Sequence, residues 1–150
     1  MKNSNILLIE DNESEVVLLE EAFSEASIQY RVLTLKDGEE AKNFLLNQDN
    51  IKEFQPKVIL LDINLPKVSG RDLLKIIKED CLLRKTVTIV FSTSEAPSDI
   101  EYCMKNNANA YVVKPSDFDG LLNFVKNIFS FWINMTPDPF WLGGNGNYAC

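Results

Sequence analysis

Three runs in this chain pass abruptly from apolar residues into charge: Ile9-Glu10-Asp11-Asn12, Leu61-Asp62-Ile63-Asn64-Leu65-Pro66 and Tyr111-Val112-Val113-Lys114-Pro115. A fourth, Val90-Phe91-Ser92-Thr93, ends in hydroxyls. If the apolar parts are strands of one parallel sheet, their carboxyl ends gather at one edge. Glu10, Asp11, Asp62, Ser92 and Lys114 would then share a pocket. Two carboxylates roughly 4 Å apart repel by about 4 kcal/mol at an effective dielectric of 20, and a proton or a metal must relieve that. Oxygen-only ligands suit Mg²⁺, which phosphate oxygens commonly complete. Lys114 adds a compact cation, and Ser92 a hydroxyl. Together these groups would stabilise phosphoryl transfer onto Asp62 as an acyl phosphate.

The elements needed to position them follow from periodicity. Ile6-Leu7-Leu8-Ile9 and Val58-Ile59-Leu60-Leu61 are continuous apolar runs, as expected of strands covered on both faces. Tyr30 to Leu35, Val87 to Phe91 and Ala110 to Val113 complete five strands, the fourth β-branched and aromatic. Helical spacing predicts helices after Asn12 or Ser14, after Asp37-Gly38, after Gly70, over Ser98 to Asn107, and from Phe118 to about Ile133. Residues Asn47 to Lys57 are polar, end near Pro56, and read as a loop. Five strands alternating with five helices predict an open parallel α/β sheet.

The 150 residues fit one domain, with 45% hydrophobic residues for a core. A net charge of -7 argues against nucleic acid and anionic membrane as partners. No stretch reaches the ~18 apolar residues that span a bilayer, and the N-terminus shows no signal-peptide pattern, so a cytoplasmic protein is expected. Cys81, Cys103 and Cys150 lack metal or redox spacing and read as reduced thiols. Histidine is absent, which excludes His-dependent catalysis and a phosphohistidine on this chain.

The last predicted helix carries too much apolar surface. At about 100° per residue, Leu121, Val125, Ile128 and Trp132 share a face, flanked by Leu122, Phe129 and Ile133 and by Phe124 and Phe131. That arc is about 200° wide, twice what covering a sheet requires. Either a homodimer or partner contact uses the excess, with Phe124, Phe131 and Trp132 as interface residues, or Met135, Phe140 and Trp141 fold back over it.

The four runs, in order on five alternating strands, resemble the receiver domain of two-component response regulators over roughly residues 4 to 133. That resemblance implies the flavodoxin-like strand order 2-1-3-4-5 and a receiver over residues 1–135, while the tail 136–150, with Pro137, Pro139, Gly143, Gly144 and Gly146, shows no period and reads as flexible or partner-packing. It implies that Asp62 accepts a phosphoryl group from a histidine kinase. Asp11, Asp62 and the Asn64 main-chain carbonyl would hold Mg²⁺, with Glu10 acting through water. Ser92, Lys114 and the Thr93 amide would bind phosphoryl oxygens, and Tyr111 would be the switch aromatic that follows Ser92. Ser92 replaces the commoner threonine, Ser116 stands where an aromatic often follows Lys-Pro, and Ser94 occupies a position that tunes phosphate lifetime in the family. The Leu65-Pro66-Lys67 and Ser92-Thr93-Ser94 runs, the long Asn47–Lys57 segment and Phe131-Trp132 are similar to stand-alone receivers that partner phytochrome-type kinases.

Other classes fit less well. An aspartyl phosphatase wants a second acid two residues after its nucleophile, where Asn64 stands. A nucleotide-binding module wants glycines after the first strand, where acids stand instead. A domain that binds partners without phosphorylation stays open at this level.

Overall fold

The computed structural model describes residues 4–137 and Phe140. Five strands, β1 (Ser4–Ile9), β2 (Tyr30–Leu35), β3 (Val58–Leu61), β4 (Val87–Ser92) and β5 (Ala110–Val113), form one sheet in the order β2-β1-β3-β4-β5. All neighbours are parallel. Helices α1 (Glu13–Glu25), α2 (Gly38–Leu45), α3 (Gln48–Phe54), α4 (Gly70–Glu79) and α5 (Pro97–Lys105) lie between them, and a C-terminal helix follows β5. The α/β class and the strand order are those expected from the sequence.

Side-chain alternation splits the core into two layers. Leu7, Ile9, Ile59, Leu61 and Val90 face α2, α3, α4 and α5. Ile6, Leu8, Val58, Leu60, Ile89 and Phe91 face α1 and the C-terminal helix. A strand buried on both faces has no polar face to show, which is why β1 and β3 read as unbroken apolar runs.

The segment from Asn47 to Lys57 is not a loop, as its polar composition predicts, but contains α3. Asn47 caps it by accepting from the Asp49 and Asn50 amides, and Gln55 ends it in the left-handed region at φ 50°. Only Ile51 and Phe54 are buried, too few to mark a helix by periodicity in seven residues. The structure therefore holds six helical segments among the described residues, against five expected.

The C-terminal helix differs in its winding. It runs as α6 (Phe118–Asn123), a π-helical stretch Phe124–Phe129, and α7 (Ser130–Asn134). The i→i+5 pattern takes more residues per turn, so the inward face slips by one position. Leu121, Phe124, Val125, Phe129 and Ile133 are the buried set. Phe124 stacks on Phe91 at 4.7 Å and is 4% exposed, so it belongs to the core and not to an interface. Phe131 is 50% exposed, while Trp132 is half-buried and packs its ring edge against Phe131.

Of the expected tail, Thr136, Pro137 and Phe140 fall within the described residues, and Trp141 does not. Phe140 packs against the cluster on the α2–α5 face, and Met135 is 73% exposed, so neither covers the C-terminal helix. Cys103 is buried and free, as expected.

Candidate functional site: an acidic cluster closed by a lysine

The sheet ladder runs one residue past the strands at the carboxyl edge. The Glu10 amide donates to the Leu35 carbonyl at 3.1 Å, the Asp62 amide to the Ile9 carbonyl at 3.0 Å, and the Lys114 amide to the Ser92 carbonyl at 2.8 Å. The main chain of each charged residue is thus pinned by a neighbouring strand, and the side chains must meet. Oxygens of Glu10, Asp11 and Asp62 all lie within 4.8 Å of one another. Glu10 and Asp62 are buried and Asp11 is exposed. Lys114 reaches this group from the far strand, its Nζ 2.7 Å from Glu10 Oε2 and 3.0 Å from Asp62 Oδ2.

The remaining carboxylate oxygens are held by main chain. Glu10 Oε1 accepts from the Asn12 amide at 3.1 Å, and Asp62 Oδ1 accepts from the Asn64 amide at 3.0 Å. Gly70 makes the close packing beneath Asp62 possible. A Cβ there would lie 2.3 Å from the Asp62 carbonyl oxygen and 2.4 Å from Ile63 Cα, so α4 can start against this backbone only with glycine.

The electrostatics are those of a crowded acid site. Burial pushes the Glu10 pKa up to about 8; its bond to Lys114 opposes this, and the Asp62 charge adds to it. Burial works against the Lys114 ammonium too, but its bonds to the surrounding carboxylates outweigh that and hold its pKa above the ordinary lysine value. A carboxyl that retains its proton near neutrality beside two other acids is a site short of positive charge. Three carboxylates with no nitrogen or sulfur donor fit a hard divalent cation such as Mg²⁺.

Comparison with known proteins agrees with this reading of the geometry. Residues 6–126 match the response regulator receiver domain. The chain belongs to that family. This receiver domain is 34% identical over 136 residues to the probable methanogenesis regulatory protein FilR2 of Methanothrix harundinacea, covering 89% of this chain and 88% of that one. It is 33% identical over 135 residues to the response regulator Rcp1 of Synechocystis sp., covering 89% and 92%. Among solved structures it is similar to the phosphorylated cyanobacterial phytochrome response regulator RcpA (TM-score 0.82, 34% identity, 91% of this chain and 98% of that one). The Mn²⁺-bound form of Rcp1 is also similar (TM-score 0.78, 31% identity, 91% and 99%). Receiver domains are phosphoacceptors of two-component systems, and divalent metal occupies their acidic site.

Of the other predicted residues, Ser92 ends β4 with Thr93 next to it, Asn64 follows β3, and Tyr111 lies within β5 in register with Val90. Ser92 is fully buried, its Oγ accepting from the Ser94 amide at 3.2 Å. Thr93 and Asn64 are exposed. Tyr111 is half-buried, and its hydroxyl donates to the Ser94 carbonyl at 2.8 Å. Sequence reasoning missed what surrounds them. The Ser94 hydroxyl donates to Asp99 Oδ2 at 2.5 Å, Asp99 pairs with Arg71, and the Arg71 guanidinium lies 4.6 Å from the centre of the Tyr102 ring. The Arg71 pairing, with the Ser94 bond, holds the Asp99 carboxyl below its usual range. Glu15 was also missed. It bonds Lys114 Nζ from the first turn of α1, where an acid reads simply as a favourable helix-start charge.

Proposed function

We propose that this receiver takes a phosphoryl group on Asp62 from a phosphohistidine of a partner kinase, with Mg²⁺ bound beside it. The observation that carries this is the convergence of a buried lysine and two buried carboxylates from three strand ends, with Asp11 at the open side. Asp11, Asp62 and the Asn64 main-chain carbonyl would hold the ion, with Glu10 acting through water. Bound there, Mg²⁺ supplies charge neutralisation between the acidic cluster and the incoming phosphoryl oxygens.

The chain's own residues do the rest. An Asp62 carboxylate oxygen forms the new O–P bond as the P–N bond breaks, and the imidazole leaves with the bonding pair. Lys114 stays protonated, as its raised pKa requires, and meets charge on the phosphoryl oxygens. The Ser92 hydroxyl and the Thr93 amide provide neutral donors from β4. Adding about -1.5 to -2 charges draws Ser92 towards the phosphoryl group. Because the Ser94 amide is bonded to Ser92 Oγ and its carbonyl to the Tyr111 hydroxyl, such a shift reaches Tyr111 through one residue.

The partner kinase is proposed to be phytochrome-type, on the strength of the similarity to RcpA and Rcp1. Output passes through protein contacts in a cytoplasmic setting, and neither nucleic acid nor membrane is a partner; among the described residues no helix is long and apolar enough to cross a membrane. A homodimer contact through the C-terminal helix is proposed at Phe131 and Trp132, extended by the exposed Met135. Phe131→Glu is expected to lower the mass seen in sedimentation, and a wild-type chain that is monomeric whether phosphorylated or not would end the dimer proposal.

The central test is incubation with acetyl phosphate and Mg²⁺ followed by intact mass. One phosphoryl group is expected on the wild type, and none without Mg²⁺ or in Asp62→Asn. An unchanged wild-type mass would leave only a partner-binding domain.

A further inference from the structure

An ammonium group has three N–H donors, and Lys114 spends all of them on carboxylates: Glu10 Oε2, Asp62 Oδ2 and Glu15 Oε2. An acyl phosphate at Asp62 removes that carboxylate's own charge and loosens its bond to Lys114, but a phosphoryl group carrying about -1.5 to -2 charges still meets an ammonium shared with Glu10 and Glu15. For Lys114 to turn fully to the phosphoryl oxygens, one of those two acids must let go. We propose that Glu15 is that group, a competing acceptor that occupies Lys114 until a phosphoryl group on Asp62 displaces it. This rests on the reading of Asp62 as phosphoacceptor and adds a residue that sets how readily the phosphorylated state forms and how long it lasts.

Exposure decides which acid leaves. The Glu10 side chain is 5% exposed and that of Asp62 7%, while that of Glu15 is 35% exposed. Glu15 regains water when it gives up its lysine, whereas Glu10, charged or protonated, would lose a hydrogen-bond partner in a buried place that water does not reach. Glu10 is held a second time by the Asn12 amide; no second side-chain bond ties the Glu15 carboxylate among the described residues. Glu15 also has somewhere to go. It lines a cleft of about 330 Å³ with Leu18, Lys114, Ser116 and Phe118, between α1 and the start of α6. Its backbone need not move, since its amide is anchored to the Asn12 cap. A phosphoryl group at about -1.5 to -2 outbids a single carboxylate for the same ammonium.

Glu15 is thus a positioning residue that acts through Lys114. In the assay the Asp62 oxygen gains the phosphorus as the P–O bond to acetate breaks, acetate leaving with the bonding pair. Wild type, Glu15→Gln and Glu15→Asp are titrated with acetyl phosphate at saturating Mg²⁺, and phosphoryl loss is followed by intact mass after the donor is removed. Glu15→Gln is expected to reach half phosphorylation at several-fold lower acetyl phosphate and to keep the group several-fold longer. Glu15→Asp keeps the charge but draws the carboxylate back by a methylene, and is expected to shift the same way. Thermal midpoints close to wild type would confirm that both variants fold.

Behaviour of Glu15→Gln identical to wild type, or slower phosphorylation, overturns the proposal. So does a Glu15→Asp variant matching wild type while Glu15→Gln differs, because the effect is then long-range charge and not competition. A wild type that takes no phosphoryl group at all defeats the phosphoacceptor reading itself, a result distinct from either.

Discussion

Lys114 and Lys78 are two lysines drawn out of solvent at opposite ends of the same sheet, and they are perturbed in opposite directions. Lys114 stands at the carboxyl edge among three carboxylates, and its pKa is raised. Lys78, on α4, reaches the amino edge, where its Nζ donates to the Thr86 carbonyl at 3.0 Å and to Asn109 Oδ1 at 2.9 Å. Both acceptors are neutral, so burial pushes its pKa down to about 8. Burial is common to both sites, and only the company differs. One edge has concentrated charge that a further ion or anion can exploit; the other uses a lysine as a clip between α4, β4 and the residue before β5.

The comparison breaks most sharply at Lys114. Lys114→Met is expected to slow phosphorylation by acetyl phosphate about 100-fold, the scale of losing one preorganised donor to transition-state charge, as read by the time course of intact mass. It should also cost about 2–3 kcal/mol in urea unfolding at pH 8, since buried acids lose their counter-ion. At pH 6 the cost should be smaller, because Glu10 then takes a proton.

Glu10 gives the next largest signal. Its folded pKa of about 8 lies above the ordinary carboxyl value of 4.5, so between those values the folded chain holds a proton that the unfolded chain has released. Its contribution to stability therefore falls as pH rises from about 4.5 to about 8. A divalent ion must expel that proton, so Mg²⁺ affinity should climb by up to about tenfold per pH unit below pH 8. Calorimetry in buffers of different ionisation enthalpy would show the released proton, and Glu10→Gln should abolish the release.

Lys78 supplies the smallest effect and the opposite sign. With a folded pKa of about 8 against an ordinary 10.5, the unfolded chain holds the extra proton, so this group's contribution to stability rises between pH 8 and 10.5. Lys78→Met should remove that rise, as read by urea unfolding across that pH range, and leave phosphorylation unchanged. An effect on phosphorylation would show that the two edges are coupled.

What could be read in advance, and what could not, divides along the same lines. Glu10, Asp62, Ser92 and Lys114 are the last residue of a strand or the first after one, so finding the strands placed them. Ser94 was placed by its spacing from Ser92, but its partners were not: Glu15 depends on how α1 crosses above the sheet, and Arg71 and Asp99 on how α4 and α5 pack, and no local pattern encodes either. Helix α3 escaped notice because two buried residues in seven make no periodicity. Phe124 was assigned to the wrong surface because an ideal helical period was applied across a π-helical stretch.

Apolar runs of strand length, each ending in a particular charge, determined the sheet and the gathering of those charges at one edge, because strand direction alone brings those ends together. The packing of helices settled the rest: which acid shares Lys114, which lysine is left among neutral acceptors, and which aromatic rings stay exposed. Those outcomes turn on distances of a few ångströms between segments far apart in the chain, and such distances exist only once the layers have closed on one another.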